Sequence, residues 1–263
     1  MRRRHLFEFA DQSWCPAVVR RGVTEYLATA ITVMKLYRPT AEVLKRLLYE
    51  AGEETVLVIG AGSGGGILDI FNDLPLSTKV ILTDLLPDRD FFSNNPRIQY
   101  RTEPVDAFNL PDDLPGAWVM YTAFHHFSPS AAKKIIASAV ATRRPIAIFE
   151  GAPRSLAGLL ATFLIPPAVV LITPLVRPFR WSRLILTYLI PIFPLVFFWD
   201  GFVSNLRTYN LEELKEMTSS FTEYDWQVYE LPGSIFRLPT LVGSPRCVFR
   251  SIPPTQFGVS PPT

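Results

Sequence analysis

Cysteine and histidine are scarce in this chain, and neither sign of charge dominates. Cys15 and Cys247 are the only cysteines in 263 residues, so no disulfide framework is defined and both are expected to be reduced. With three histidines and no Cys/His cluster, a structural zinc site is not expected. Net charge is +2, from 26 basic and 24 acidic residues, and the one basic run, Arg2 to Arg4, stops at the N-terminus. Nucleic acid is therefore not an expected partner. Glu8 and Asp11 interrupt "HLFEFADQSW" where an export signal would need unbroken hydrophobes, so export is not expected either. The chain contains no internal repeat.

What is present is apolar material, 48% of the residues, enough for one sizeable α/β domain with additions. Residues 1–50 read as an N-terminal helical cap, two amphipathic helices separated at Pro39. Apolar strands follow at 55–59, 79–84, 97–103, 117–123 and 144–150. Between them lie a helix from about Ile67 and another in "SPSAAKKIIASAVA", with Ser128 or Ser130 as N-cap. "NLEELKEMTSSF" predicts a helix capped by Asn210, and "DWQVYEL" and "RCVFRSI" a closing pair of strands. This alternation implies a doubly wound, mostly parallel sheet. The core domain is read as 51–151 and 205–252, with an apolar insert at 152–204 and a proline-rich disordered tail at 253–263.

Three features fall at strand ends, where ligands of such sheets bind. The turn Gly60-Ala61-Gly62-Ser63-Gly64-Gly65-Gly66 permits close backbone approach and precedes a helix N-terminus. Asp84, followed by Leu85, closes the second strand, where a carboxylate can accept both hydroxyls of a ribose. Asp106 and Ala107, after the third strand, are placed to meet an adenine amino group and a ring nitrogen. The glycine spacing also satisfies the dinucleotide fingerprint, so turn and ribose carboxylate alone leave two nucleoside ligands open.

Taken with "YTAFHHFS" at the end of the fourth strand, these motifs resemble class I S-adenosylmethionine-dependent methyltransferases, over residues 52–151 and more weakly 205–252. "YTAFHHFS" is similar to a segment of quinone-type and other small-molecule methyltransferases. The resemblance implies a seven-stranded Rossmann-like sheet with S-adenosylmethionine as cofactor. The methionine part would lie on Gly60, Ala61, Gly62, Ser63 and Gly64, ribose on Asp84 and Leu85, adenine on Asp106 and Ala107. His125 and His126 are then candidates for acid/base help or for bracing the loop. They are not read as a metal pair, since adjacent residues at a strand end point apart. One departure stands out: Val58 occupies the position, two before the first glycine, where the family usually has an acid. The alternatives are an NAD-dependent oxidoreductase, although none of the nine tyrosines has a lysine four residues on, and a non-catalytic membrane protein retaining the nucleotide fold.

Between 155 and 199 the only charges are Arg177, Arg180 and Arg183. Segment 155–176 is as long as the ~20 residues a spanning helix needs, yet Pro166 and Pro167 fall at its middle. Segment 184–199 is shorter and broken by Pro191 and Pro194. The reading preferred here is an apolar helical hairpin of broken helices dipping into one leaflet, with Trp181, Trp199 and the arginines at headgroup level. A two-span hairpin and a buried lid or dimer interface are the alternatives. The expected substrate is a lipophilic small molecule or lipid, and the expected location is the membrane, with the catalytic domain on the cytoplasmic side. Arg20, Arg21, Tyr26 and Tyr37 of the N-terminal helices are read mainly as solvated surface.

Overall fold

The computed structural model describes residues 1–87 and 93–246. Five apolar segments form strands: Thr55–Ile59 (β1), Lys79–Thr83 (β2), Ile98–Tyr100 (β3), Ala117–Tyr121 (β4) and Ile146–Phe149 (β5). Every residue of β4 and β5 is buried, as in parallel strands covered on both faces. A hairpin of Tyr224–Pro232 (β6) and Arg237–Pro245 (β7) completes the sheet. The order is β3-β2-β1-β4-β5-β7-β6, with β7 antiparallel to both β5 and β6 and the remaining pairs parallel. The doubly wound, mostly parallel seven-stranded sheet expected from sequence is therefore present. A dinucleotide-binding sheet runs 3-2-1-4-5-6, with no strand inserted between the fifth and sixth.

The last strand is not where the sequence placed it. β7 comes from residues 237–245, with Leu241 opposite Ile148 of β5, whereas "RCVFRSI" from residue 247 and the tail at 253–263 lie outside the described residues. Leu238, Thr240 and Leu241 are fully buried, so burial rather than local propensity selects this segment.

Helices Ala17–Met34 (α1), Thr40–Ala51 (α2) and Gly65–Ile70 (α3) cover one side. α1 lies close on α3: a Cβ on Gly65 would come within 2.9 Å of the Ala28 Cα. The opposite side carries Pro129–Ala141 (α4), capped by the Ser128 hydroxyl, and Leu211–Thr218 (α9), opened by an Asn210–Glu213 capping box.

The insert begins as a nearly continuous helical run, Leu156–Leu175, made of Leu156–Ala161 (α5), a tight turn, Ile165–Ile172 (α6) and a second tight turn. Pro166 and Pro167 do not break it. They occupy the first turn of α6, where a missing N–H leaves no hydrogen bond unmade. The chain returns through Trp181–Leu184 (α7), a π-turn at Ile185–Leu189 and Ile192–Arg207 (α8), the two parts bent by 78°. α8 passes through residue 204 without interruption, so the domain division expected there falls inside a helix. One side of the hairpin packs on α1, where Val169, Val176 and Phe193 meet Val19, Val23 and Tyr26. The Tyr26 hydroxyl is fixed between the hydroxyls of Thr173 (2.6 Å) and Thr187 (2.8 Å). The other side is bare: Leu160, Leu164, Leu171, Trp181, Leu189 and Leu195 are all exposed. Only 22% of the most apolar stretch of Leu156–Leu175 is buried, the reverse of a core helix.

Candidate active site

β1 ends in the glycine turn, and Gly60 (φ 67°), Gly62 (φ 52°) and Gly64 (φ 75°) all adopt the left-handed conformation that a side chain would strain. The turn is pinned by Ala61 N–H donating to Thr83 O (2.9 Å) and Gly64 N–H to Ala61 O (2.7 Å), with Ser63 between them at its crest. Asp84, just past β2, holds the turn from the side. Its Oδ2 accepts from Gly62 N–H (2.7 Å) and its Oδ1 from Leu86 N–H (2.8 Å), while Leu85 is exposed. Burial raises the Asp84 pKa, and those two amide donors oppose the rise. The third loop is drawn alongside by Val105 N–H donating to Asp84 O (2.8 Å). This sets Asp106, whose Oδ1 accepts from Phe108 N–H (2.9 Å), and the buried Ala107 next along the edge. Val58 is buried in the core under α2 and α3, and no charge replaces the usual acid within β1.

At the end of β4 the chain turns sharply. Thr122 takes a left-handed φ of 48°, costly for a β-branched residue, and is held by its N–H donating to Phe149 O (2.8 Å) and by a hydroxyl contact with Tyr37. Residues Phe124–His126 then form a tight helical turn rather than an extended strand end. The expectation that the two histidines point apart is therefore wrong: their rings lie 4.3 Å apart, tilted by 32°.

The side chains nevertheless have different surroundings. His125 is 1% exposed. Its N–H and its Nδ1 meet the two carboxylate oxygens of Glu150, at 2.8 and 2.7 Å, and its Nε2 lies 2.7 Å from the Ser204 hydroxyl of α8. Glu150 follows β5 directly and is itself buried. A buried carboxylate on Nδ1 fixes the proton there and leaves Nε2 as the basic atom. The sequence contained the signal for Glu150, a lone acid closing a buried strand in "RPIAIFE", the same signal that singled out Asp84. His126 is one-third exposed and pairs through Nδ1 with Asp11 (3.0 Å).

Asp11 belongs to the segment 1–16, which the sequence places in the helical cap but which precedes the first helix and wraps over this edge without helical structure. Arg3 donates to the carbonyls of His125 (3.0 Å) and Phe127 (2.9 Å) and covers the Tyr209 ring at 4.1 Å. Glu8 and Asp11 share Arg207 Nη1, at 3.0 and 2.8 Å. Glu8, His125 and His126 could offer ligand atoms within 4.8 Å of one another, but the Arg207 guanidinium already supplies the positive charge among these acids. Arg20 is also structural, donating to the carbonyls of Ala10, Gln12 and Cys15. Tyr26 and Tyr37 are buried, so neither they nor Arg20 form the solvated surface expected of them.

Burial pushes Glu8 up to about 7 from its ordinary 4.5, against the pull of His126 and Arg207. Burial would raise Asp11 too, but hydrogen bonds from His126 and Arg207 hold it well below the usual carboxylate range. The folded chain thus keeps a proton on Glu8 that the unfolded chain releases. Its contribution to stability is full below about 4.5 and is lost as pH rises through about 7. Glu8→Gln retains a partner for Arg207 and removes the titration. The drop in Tm between mildly acidic and mildly alkaline buffer is expected to be smaller in the variant than in the parent. An equal drop would exclude Glu8 as the responsible group.

Glycine turn, Asp84, Asp106 with Ala107, and the His125–Glu150 pair occupy successive positions along the carboxyl edge of a 3-2-1-4-5-7-6 sheet. That arrangement defines the class I methyltransferase fold. Among solved structures, the plantazolicin methyltransferase BpumL in complex with SAH matches with a TM-score of 0.57 at 12% identity, over 90% of this chain and 94% of that one. The same enzyme with a triazolic desmethylPZN analog and SAH gives 0.56 at 11% identity, over 89% and 94%. With a pentazolic analog the values are 0.51 at 11%, over 79% and 84%. At such identity the likeness is one of fold. No protein-family model matches the chain, and no curated protein does.

Proposed function

We propose that this chain transfers a methyl group from S-adenosylmethionine to a lipophilic small molecule or lipid, at a membrane against which residues 155–199 rest, with the catalytic domain on the cytoplasmic side. The observation that carries the reading is the buried His125–Glu150 pair, set on the same sheet edge as the glycine turn, Asp84 and Asp106. The residues fit the cofactor. Three left-handed glycines leave the backbone of the turn without side chains of its own, the carboxylate of Asp84 keeps acceptor capacity beyond the backbone amides it accepts from, and Asp106 does likewise.

When bound, S-adenosylmethionine supplies an electrophilic methyl group on a sulfonium. The chain's own part is orientation and removal of one proton. Glu150 holds the His125 tautomer and stabilises the imidazolium once Nε2 has taken a proton. Ser204, hydrogen-bonded to Nε2, is the group through which that proton arrives. The insert leaves β5 at this same edge, so an acceptor dissolved in lipid can approach beside its bare apolar side while the cofactor enters from water.

The test is incubation of the detergent-purified protein with radiolabelled S-adenosylmethionine and total lipid extract. Label entering the organic phase is expected. Absence of both labelling and S-adenosylhomocysteine binding would sink the enzyme reading, and release of the protein into carbonate supernatant would overturn the membrane part alone.

A further inference from the structure

Methylation of an O–H or N–H group releases one proton, and His125, which receives it through Ser204, lies almost wholly out of water. A second turnover requires that proton to leave. On the Nδ1 side stands Glu150, itself buried and facing His125 through both oxygens, so that side leads into the interior. On the Nε2 side stands Glu8, whose Oε1 lies 3.8 Å from the ring nitrogen. Its other oxygen, Oε2, lies 3.9 Å from Nδ1 of His126, which is one-third exposed. One carboxyl group thus reaches from a buried imidazole to one that meets solvent.

Arg207 does not need Glu8 as its counter-charge. Asp11 already pairs with Arg207 Nη1 at 2.8 Å and with His126 at 3.0 Å, and it does so from a position one-third exposed. Burying a second acid beside the same guanidinium costs free energy that a pairing already made does not return. The groups facing Glu8 are Arg207 and Asp200 of α8, His125 and His126 of the turn after β4, and Asp11 of its own segment, and burial against them leaves its pKa at about 7. A carboxyl that titrates there exchanges a proton with an imidazole at little cost in either direction.

We propose that Glu8 is the proton outlet of His125, a residue that acts through the base and not on the acceptor. The Nε2–H bond breaks, an O–H bond forms at Glu8 Oε1, and the proton then passes to water on the side of His126 and Asp11. His125 is left neutral and Glu8 ionised for the next acceptor. The 3.8 Å separation is about one ångström beyond a hydrogen bond, a distance that rotation of the glutamate side chain covers. Like the methyl-transfer reading on which it rests, this role requires His125 as the base.

Glu8→Gln tests it. Glutamine keeps an acceptor oxygen for Arg207 but cannot take a proton, and below about pH 7 it matches the charge of the parent's protonated Glu8, so Tm there should be unchanged. With an acceptor recovered from the labelled lipid fraction, the first turnover of the variant is expected to run within about threefold of the parent, while steady-state kcat falls by about tenfold or more, as loss of a proton-transfer group implies. Added imidazole buffer, a diffusible proton acceptor, should restore kcat in the variant and leave the parent unaffected. Glu8→Asp, which keeps a carboxyl, should lie between parent and glutamine variant. Equal slowing of the first turnover and of kcat, without recovery in imidazole, would make Glu8 a brace for the N-terminal segment and overturn the outlet. Unchanged kcat in Glu8→Gln would overturn it too, and both results leave methyl transfer and the His125 base standing. Full kcat in Glu150→Gln, or no methyl transfer by the parent, would refute the base and the outlet with it.

Discussion

Exchanging Glu150 for glutamine is expected to lower kcat for methyl transfer by about 10²- to 10⁴-fold, with S-adenosylhomocysteine affinity changed by less than about threefold. The amide cannot stabilise a protonated imidazole. It can also offer its NH₂ to Nδ1, which would place the histidine proton on Nε2, the atom that must receive one. Among the described residues, both oxygens of Glu150 are engaged by His125, one by the backbone and one by the ring, so the substitution acts on this residue first. The measurement is steady-state kinetics with an acceptor recovered from the labelled lipid fraction, alongside isothermal titration of S-adenosylhomocysteine. Because the site is buried, Tm must be followed as well. A folded variant with full kcat would reduce the pair to a brace for the loop after β4.

Asp84→Ala should have the complementary signature, loss of cofactor affinity. Two hydrogen bonds from ribose to a carboxylate contribute about 1.5–3 kcal/mol each, so a drop of about 10²-fold or more in S-adenosylhomocysteine affinity is expected. The carboxylate also holds Gly62 N–H, so alanine releases the glycine turn at the same time. Asp84→Asn, which keeps one acceptor oxygen, should fall between the two. Unchanged binding in the alanine variant would remove Asp84 from the ribose site. Binding of NAD in place of S-adenosylhomocysteine would revive the oxidoreductase reading.

The sheet was legible because buried parallel strands announce themselves as continuous apolar runs, and β1, β2, β4 and β5 lie within a residue or two of where those runs fall. β7 was not legible. Pro239 inside "RLPTLVG" argues against a strand, and only tertiary burial overrides that local signal. Pro166 and Pro167 misled in the same way, since a proline pair reads as a break unless the helix restarts at that point. The candidate cofactor positions stand out in the sequence because each follows a strand. Glu8, Asp11 and Arg207 could not, because their contacts join the N-terminus to α8 across nearly 200 residues, and no periodicity records such a meeting.

α1 serves two surfaces at once. Its Glu25 and Tyr26 are tied to the insert, while Thr24 and Ala28, on another face, lie over the glycine turn, so closely that a Cβ on Gly62 would meet Thr24 at 3.5 Å. A rigid helix cannot shift against one of these neighbours and stay fixed against the other. Under the proposed membrane reading, free energy that a bilayer puts into moving the insert would therefore be felt at the glycine turn. By thermodynamic reciprocity, cofactor occupancy would alter membrane affinity by the same factor.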